Sequence, residues 1–545
     1  MLFANPPKMK PHSFVVIGAL ALCSIISTGH VTGPLRAQDT DERPKLIVVL
    51  VIDQMRTDFI DRYGQQWTGG LKRLLREGAW YRNAAYPYLN TVTCSGHATI
   101  GTGRFPRSHG VIMNSWLDRR AVKFVGCTED PDVATVTSEG RTPGGDSGAR
   151  LQGTTLAERV KDAKGRVVTI AVKPRSAIMP AGRKSDATIW FGGRGTFVTS
   201  TMYAKTLPAF AAQTLAERPI TQDRATPWTK ILPAEAYVGP DDGVGERPPA
   251  GWTTTFPHAL DQPQFVGLWQ MSPMSDAYLA RLAAAAVDSY KLGQGDNVDF
   301  LSVSFSALDP VGHAFGPDSH EVQDLLARLD RTIGDLLAHL DERVGRGRYV
   351  LALTADHGVA PIPEQALANG LDAGRINGQA IANAIDRELQ PMFGLERYTA
   401  AIIYSDVYFR PGVWDRLSDN ARAVEVIKGA IMKAPGVDRV FASYELDRVS
   451  SDDPVQRAAA LSYRRDRSGD MVLIPKRFWI SSSAATTHGT LYDYDQRIPL
   501  LFFGRGVRPA QLDGPATPAD IAPTLAGLAG ITLKGTDGQR LPVNP

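Results

Sequence analysis

KLIVVLVID, Lys45 to Asp53, is an unbroken run of aliphatic side chains closed by an acid. A strand with one wet face alternates polar and apolar residues. A continuous apolar run marks a strand covered on both faces, as in a parallel sheet. The pattern recurs in RVVTIAV (166–172), VDFLSVSFS (298–306), RYVLALTAD (348–356) and RIPLLFFG (497–504). Helical periods lie between these runs. Leu71, Leu74 and Leu75 fall at i, i+3 and i+4. Leu325, Leu326, Leu329, Ile333, Leu336, Leu337 and Leu340 form a longer stripe that begins after Ser319. Strands alternating with helices predict an α/β core: a mostly parallel sheet flanked by helices.

Two stretches break the rhythm. Residues of about 180–273 are rich in Pro, Gly, Thr and Trp, and about 361–481 are mixed and charged. Both read as cap segments inserted into one catalytic domain spanning 38–545. No solenoid period is present.

The 545 residues are 43% hydrophobic and 21% charged, ordinary for a globular protein. Sixty basic residues face 57 acidic ones, and the first 37 residues hold three of the basic (Lys8, Lys10, Arg36) and no acid. A chain without that segment is neutral, which argues against a nucleic-acid footprint. Lys8 and Lys10 precede the apolar FVVIGALALCSIIS (14–27), and Leu35-Arg36-Ala37 ends on a small residue. This is the layout of a signal peptide, residues 1–37, and its apolar run is shorter than the roughly 20 residues a membrane span needs. Leu22 argues against lipid attachment at Cys23. The expectation is a periplasmic or secreted protein without a later membrane span. Cleavage leaves Cys94 and Cys127 in an oxidising compartment, where a bridge between them can persist. Two separate buried thiols are the alternative.

Acids and histidines cluster at the strand ends. Asp53 closes the first run. Asp309 and His313 follow the third, Asp356 and His357 close the fourth, and His488 precedes the fifth. Ligands of open α/β sheets bind beyond the carboxyl ends of the strands. A lone Asp there can simply cap a helix, but three acids with three imidazoles point to a shared site. Mixed carboxylate and imidazole donors suit zinc. Six donors exceed one tetrahedral site, so two ions are implied, a pairing suited to in-line phosphoryl transfer. TVTCSGHATIGTG (91–103) supplies four candidate nucleophiles, Thr91, Thr93, Cys94 and Ser95, and a hydroxyl among them needs a base or a metal beside it. The stretch alone does not choose.

The constellation resembles the alkaline phosphatase superfamily, and within it the secreted zinc alkaline phosphatases of PafA/PhoK type. The similarity runs from KLIVVLVIDQMRTDFI to the terminal TPADIAPTLAGLAGI. It implies Thr93, four residues before His97, as nucleophile. It implies one zinc held by Asp309, His313 and His488, and a second held by Asp53, Asp356, His357 and the Thr93 oxygen. It further implies Asn114, Lys173 and Arg175 as catalytic groups that bind the substrate phosphoryl oxygens. Cations beyond the metals match the second charge of a phosphate monoester. The implied protein is therefore an exported, monomeric alkaline phosphatase with two Zn2+ per chain, acting on small phosphate monoesters through a phosphothreonine. A nucleotide pyrophosphatase/phosphodiesterase and a non-catalytic zinc- or phosphate-binding protein are the alternatives. A sulfatase is not, because Cys94-Ser95-Gly96-His97-Ala98 lacks the required proline and arginine. His97 is expected to order its turn. His109, His258, His320 and His339 read as packing or surface residues, and no calcium-binding loop is recognisable.

Overall fold

The structure, a computed structural model, describes residues 43–545 apart from Arg120. The expected signal segment, with Cys23, lies outside the described residues.

The apolar runs fold as expected into buried strands of one eleven-stranded sheet. In chain order the strands are β1 (Leu46–Ile52), β2 (Ala79–Ala84), β3 (Glu129–Val136), β4 (Arg141–Asp146), β5 (Val167–Ala171), β6 (Ala187–Gly192), β7 (Thr196–Ser200), β8 (Asp299–Phe305) and β9 (Tyr349–Thr354). Four further strands, β10 (Thr399–Ile403), β11 (Asp406–Phe409), β12 (Val437–Ala442) and β13 (Met471–Pro475), belong elsewhere, and β14 (Leu500–Gly504) and β15 (Ala510–Ala516) complete the set. Across the large sheet the order is β15-β2-β14-β9-β1-β8-β5-β6-β7-β3-β4. All seven residues of β1 are buried. Each such Val, Leu or Ile contributes roughly 1.5–3 kcal/mol relative to exposure.

The five central strands, β9, β1, β8, β5 and β6, are mutually parallel. The flanks are not: β14 runs antiparallel to β9, and β7 antiparallel to β6. The expected mostly parallel core is therefore present, within a sheet that is mixed at its flanks. The reason is topological. The chain arrives at β14 from a loop lying over the carboxyl edge, so the strand must run back down. A buried strand reads as continuously apolar in either direction.

Helices cover both faces. Those that matter below are α1 (Gly70–Glu77), α2 (Thr93–Thr102), α3 (Pro174–Ala181), α4 (Pro273–Tyr290), α5 (Leu308–Phe315), α6 (His320–Leu340), α7 (Gly378–Phe393), α8 (Ala421–Met432) and α9 (Ile521–Leu528). The predicted stripe of α6 is buried from Leu325 to Leu340, and the Ser319 hydroxyl caps the helix by accepting from Val322 N at 3.3 Å.

The segment proposed to begin near 180 enters the large sheet first, because ATIWFG of β6 is a buried strand. After β7 come a helix at Ala209–Glu217 and then a largely irregular stretch that packs on α6, where Trp228 donates to Asp324 at 2.7 Å. Strands β10, β11, β13 and β12 form a separate four-stranded antiparallel sheet. Ile381 and Ile385 of α7 and Ile427 and Ile431 of α8 share its core. No helix among the described residues is long and apolar enough to cross a membrane.

Candidate active site

The parallel strands deliver their acids to one edge. Asp53 follows β1, Asp356 and His357 follow β9, and Asp309 and His313 sit one helical turn apart on α5, just after β8. Asp53, Asp356 and His357 have no exposed surface, and Asp309 and His488 are each 6% exposed. His488 reaches the same edge only because β14 is antiparallel. Ahead of a parallel strand it would lie at the opposite end.

Two groups of donor atoms converge to within 4.8 Å: Asp309, His313 and His488, and Asp53, Asp309 and His357. The first is the expected set. The second differs from expectation in drawing in Asp309, while Asp356 stands beside it, its Oδ2 3.6 Å from His357 Nε2. Thr93 Oγ1 lies 3.3 Å from the same Nε2.

Three backbone carbonyls fix the imidazoles. His313 Nδ1 faces Thr486 O at 2.8 Å, His488 Nδ1 faces Thr91 O at 2.9 Å, and His357 Nδ1 faces Gly358 O at 2.9 Å. A carbonyl only accepts, so each Nδ1 carries the proton and each Nε2 is turned to the carboxylates. This is the tautomer and orientation that metal-binding histidines require. Burial pushes His357 down, and burial with the neighbouring imidazoles pushes His488 well down, favouring the neutral, ligating form. Asp53 Oδ1 and Asp356 Oδ2 are buried without a hydrogen-bond partner. Burial, then the Asp356 charge, pushes Asp53 well above the usual carboxylate range. The donor types, their convergence and these orphaned oxygens fit metal cations.

Lys173, the residue capping α3, does not point freely toward a substrate. Its ammonium bridges Asp53 Oδ2 at 2.6 Å and Asp309 Oδ2 at 2.5 Å. Burial disfavours its charge, but Asp309 and Asp53 outweigh burial and hold its pKa above the ordinary value. Burial likewise raises Asp309, and Lys173 with His313 and His488 overcomes it, leaving the carboxyl well below its usual range. Arg175 lies in the first turn of α3, with its Nε buried and unpartnered.

Helix α2 starts at Thr93 itself, so Ser95 and Gly96 belong to its first turn rather than to a loop leading into it. Gly96 has a packing reason: a Cβ there would lie 2.2 Å from Asp356 O. Asn114 is clamped from three sides. Its Oδ1 accepts from Cys94 N at 2.8 Å, its carbonyl accepts from Cys127 N at 2.9 Å, and its Nδ2 donates to Tyr404 Oη at 3.3 Å. Cys94 and Cys127 are disulfide-bonded, as expected.

Four supporting residues escaped the sequence reading. Gln54 (φ +70°) donates from Nε2 to Asp309 Oδ1 at 2.8 Å and from its backbone to Asp356 Oδ1 at 3.1 Å, tying the two groups together. A Cβ on Gly312 would meet Gln54 Oε1 at 1.8 Å, so that position excludes a side chain. Asp276 accepts from Ser306 N and Ala307 N at 2.9 and 3.3 Å, holding the approach to α5. Tyr404 comes from the separate sheet. Val49 to Asp53 pointed at Gln54 only by adjacency, and the other three carry no local signal. His97 does order its turn: Nδ1 lies 2.9 Å from Thr93 O and 3.2 Å from Asp356 Oδ2, while Nε2 meets Ser304 Oγ at 2.9 Å. Buried His109 packs against Thr99, and burial pushes it down to about 3.

A parallel-centred α/β sheet carrying this cluster beyond its carboxyl edge defines the class, and the match of residues 47–496 to the type I phosphodiesterase / nucleotide pyrophosphatase family places the chain in that family. Within it the chain is of alkaline phosphatase PafA type. It is 35% identical to alkaline phosphatase PafA of Elizabethkingia meningoseptica over 91% of this chain and 94% of that protein. It is 34% identical to alkaline phosphatase PhoV of Synechococcus elongatus, covering 90% of each. The crystal structure of wild-type PafA superposes with a TM-score of 0.85 at 32% identity, covering 92% of this chain and 98% of that one.

Proposed function

We propose that this phosphatase hydrolyses phosphate monoesters through a phosphothreonine at Thr93, with two zinc ions as cofactors. The observation that carries the reading is the set of three imidazoles, each locked at Nδ1 by a carbonyl and presenting Nε2 to acids around Thr93. Asp309, His313 and His488 would hold one ion, and Asp53, Asp356 and His357, with the Thr93 oxygen, the other. Bound zinc supplies Lewis acidity, lowering the pKa of a coordinated hydroxyl or water and countering charge on the reacting oxygens.

Thr93 Oγ1 attacks phosphorus as its proton passes to solvent, and the bond from phosphorus to the ester oxygen breaks in line. Water then attacks the phosphothreonine, releasing inorganic phosphate and restoring the hydroxyl. Asn114, pre-oriented by Cys94 N and Tyr404, offers Nδ2 to a non-bridging oxygen. Lys173 and Arg175 add two cationic donors, which match the dianion of a monoester. Lys173 now bridges Asp53 and Asp309, and metal ions held by those acids would take over that charge pairing and leave its ammonium to the substrate. Export is part of the proposal. The Cys94–Cys127 bridge suits an oxidising compartment, and residues 1–37 have the composition of a signal peptide. The chain acts as a monomer on small soluble esters.

The family match names phosphodiesterases and pyrophosphatases, so diester hydrolysis is the second reading. Hydrolysis of p-nitrophenyl phosphate, set against bis-p-nitrophenyl phosphate, separates the two. Monoester preference, abolished by a chelator and restored by zinc, is the expected result. Diester preference, or monoester turnover indifferent to chelation, overturns the proposal.

A further inference from the structure

We propose that Asp495 is a positioning residue that holds the supports of both His357 and His488, an inference that rests on the two-ion reading above. Asp495 lies in the helical turn Asp493–Gln496, just before β14, and has no exposed surface. It is not one of the converging donors, so it acts through other residues. Its carboxyl holds the loop that carries His488: Thr490 N and Thr490 Oγ1 donate to Oδ2 at 2.8 and 2.6 Å. Thr490 O in turn accepts from Thr91 Oγ1 at 2.9 Å, and Thr91 O is the carbonyl that faces His488 Nδ1. A chain of three hydrogen bonds therefore runs from the Asp495 carboxyl to the His488 ring, by way of the residue two before Thr93.

The main chain of the same turn holds the other imidazole. Gly358 N donates to Asp495 O at 2.8 Å, and Val359 N donates to Tyr494 O at 2.9 Å. The peptide between Gly358 and Val359, fixed at its N–H by Tyr494, is the one whose carbonyl faces His357 Nδ1. The two segments meet backbone to backbone: a Cβ on Gly358 would lie 2.1 Å from Tyr494 O. The rings of His357 and His488 are themselves stacked, 3.5 Å apart between centroids and 14° from parallel. A displacement of either ring is therefore felt by the other.

Stability alone is a poor account of this acid. Burying a carboxyl is unfavourable unless its oxygens are satisfied, and Asp495 Oδ1 is buried with no hydrogen-bond partner. What the residue gains is placement: one oxygen on the His488 loop and one carbonyl on the segment behind His357. Groups that stand behind metal ligands orient them and tune the affinity of the site.

Cobalt(II) serves as the spectroscopic probe, since zinc has no d–d bands and cobalt takes the same nitrogen and oxygen donors. Asp495→Ala deletes the carboxyl and leaves the main-chain carbonyl on Gly358. Zinc affinity of the full chain, read by competition with a chromophoric chelator, should therefore fall about 10–100-fold for one of two equivalents and stay unchanged for the other. The visible spectrum of the Co2+-loaded variant should differ from that of the native chain. Asp495→Asn keeps an acceptor for Thr490 and should recover most of the lost affinity. If Asp495→Ala fails to fold, Thr490→Val carries the test: it removes one of the two bonds, keeps the side-chain shape and should give a smaller change in the same direction. Native affinity for both equivalents with an unchanged Co2+ spectrum overturns the role, even if Tm falls. Equal weakening of both equivalents also overturns it, because that is a general loosening. A native chain that binds fewer than two zinc ions fails differently: it overturns the two-ion reading, and this inference with it.

Discussion

The two halves of the candidate catalytic edge are built from different material. Asp53, Asp356 and His357 are set by adjacent parallel strands, β1 and β9, whose register runs unbroken from Leu46 with Tyr349 to Val51 with Thr354. Backbone pairing fixes their positions, and all three are fully buried. Asp309 and His313 ride on an eight-residue helix, and His488 on a loop. That half needs outside help: Asp276 at the approach to α5, Gln54 against Asp309, and Thr486 O and Thr91 O on the imidazoles. One half is rigid because the sheet is rigid. The other is positioned by side chains, and substitutions should find it out.

Thr93→Ala removes the proposed nucleophile while leaving both halves assembled. Phosphatase kcat/KM should fall by about 10^3-fold or more, as when a nucleophile is lost, with zinc content retained. Full turnover in this variant would end the phosphothreonine scheme.

Asp276 tests the helical half through stability. Burial pushes its pKa up from 3.8 to about 7, against two backbone N–H groups that lower it. Between those values the folded chain holds a proton that the unfolded chain has released, so stability falls as pH rises from about 4 to 7 and is level above that. The shift corresponds to about 4 kcal/mol. Asp276→Asn keeps an acceptor for Ser306 N and Ala307 N and loses the titration. Chemical denaturation at pH 5 and pH 7 should show a smaller decline for the variant than for the native chain. Equal declines would remove Asp276 from the account.

Gln54 is the tie between the halves, and Gly312 makes room for it. Gly312→Ala must expel the Gln54 carboxamide from its bonds to Asp309. Loss of such a supporting contact typically costs about 10–100-fold in activity or metal affinity. Gln54→Ala should cost a similar factor, and the double variant no more than either alone. Additive losses would show that the two positions act separately.

The contrast also marks what could be read in the sequence. Strand-determined residues were legible, because a continuous apolar run ending in Asp, as at Val51-Ile52-Asp53, announces both a buried strand and an acid at its end. Asp309, His313, Asp356 and His357 follow the same logic. His488 was legible as a candidate, but its arrival at the same edge depends on the antiparallel direction of β14, and apolar patterning carries no direction. The 180–273 segment was misjudged at its start, since β6 is apolar while its surroundings look like loop. Gln54, Asp276 and Tyr404 act across hundreds of residues or between separate elements, and no local spacing encodes such contacts. Lys173 was legible as a cation near the site, but its seat between two acids was not.

Tyr404 gives the smallest effect and the sharpest view of what the second sheet adds. It sits in the turn between β10 and β11 at φ +50°, a conformation that a tyrosine adopts at a cost and that holds only when its surroundings enforce it. Its hydroxyl accepts from Asn114 Nδ2, and its ring is the nearest side chain after Val92 to the space over Gly489, beside His488. Tyr404→Phe keeps the ring and removes only the hydroxyl, so Asn114 loses one partner and keeps its backbone clamps. A hydrogen bond of this kind contributes about 0.5–1.5 kcal/mol, so kcat/KM for p-nitrophenyl phosphate should drop by about two- to tenfold, with stability nearly unchanged. Tyr404→Ala should cost more, because it also opens the wall beside His488. If Tyr404→Phe leaves kcat/KM untouched while Tyr404→Ala lowers it, the second sheet contributes a wall and not an orienting hydroxyl. Asn114 would then be held entirely by Cys94, Cys127 and the bridge between them.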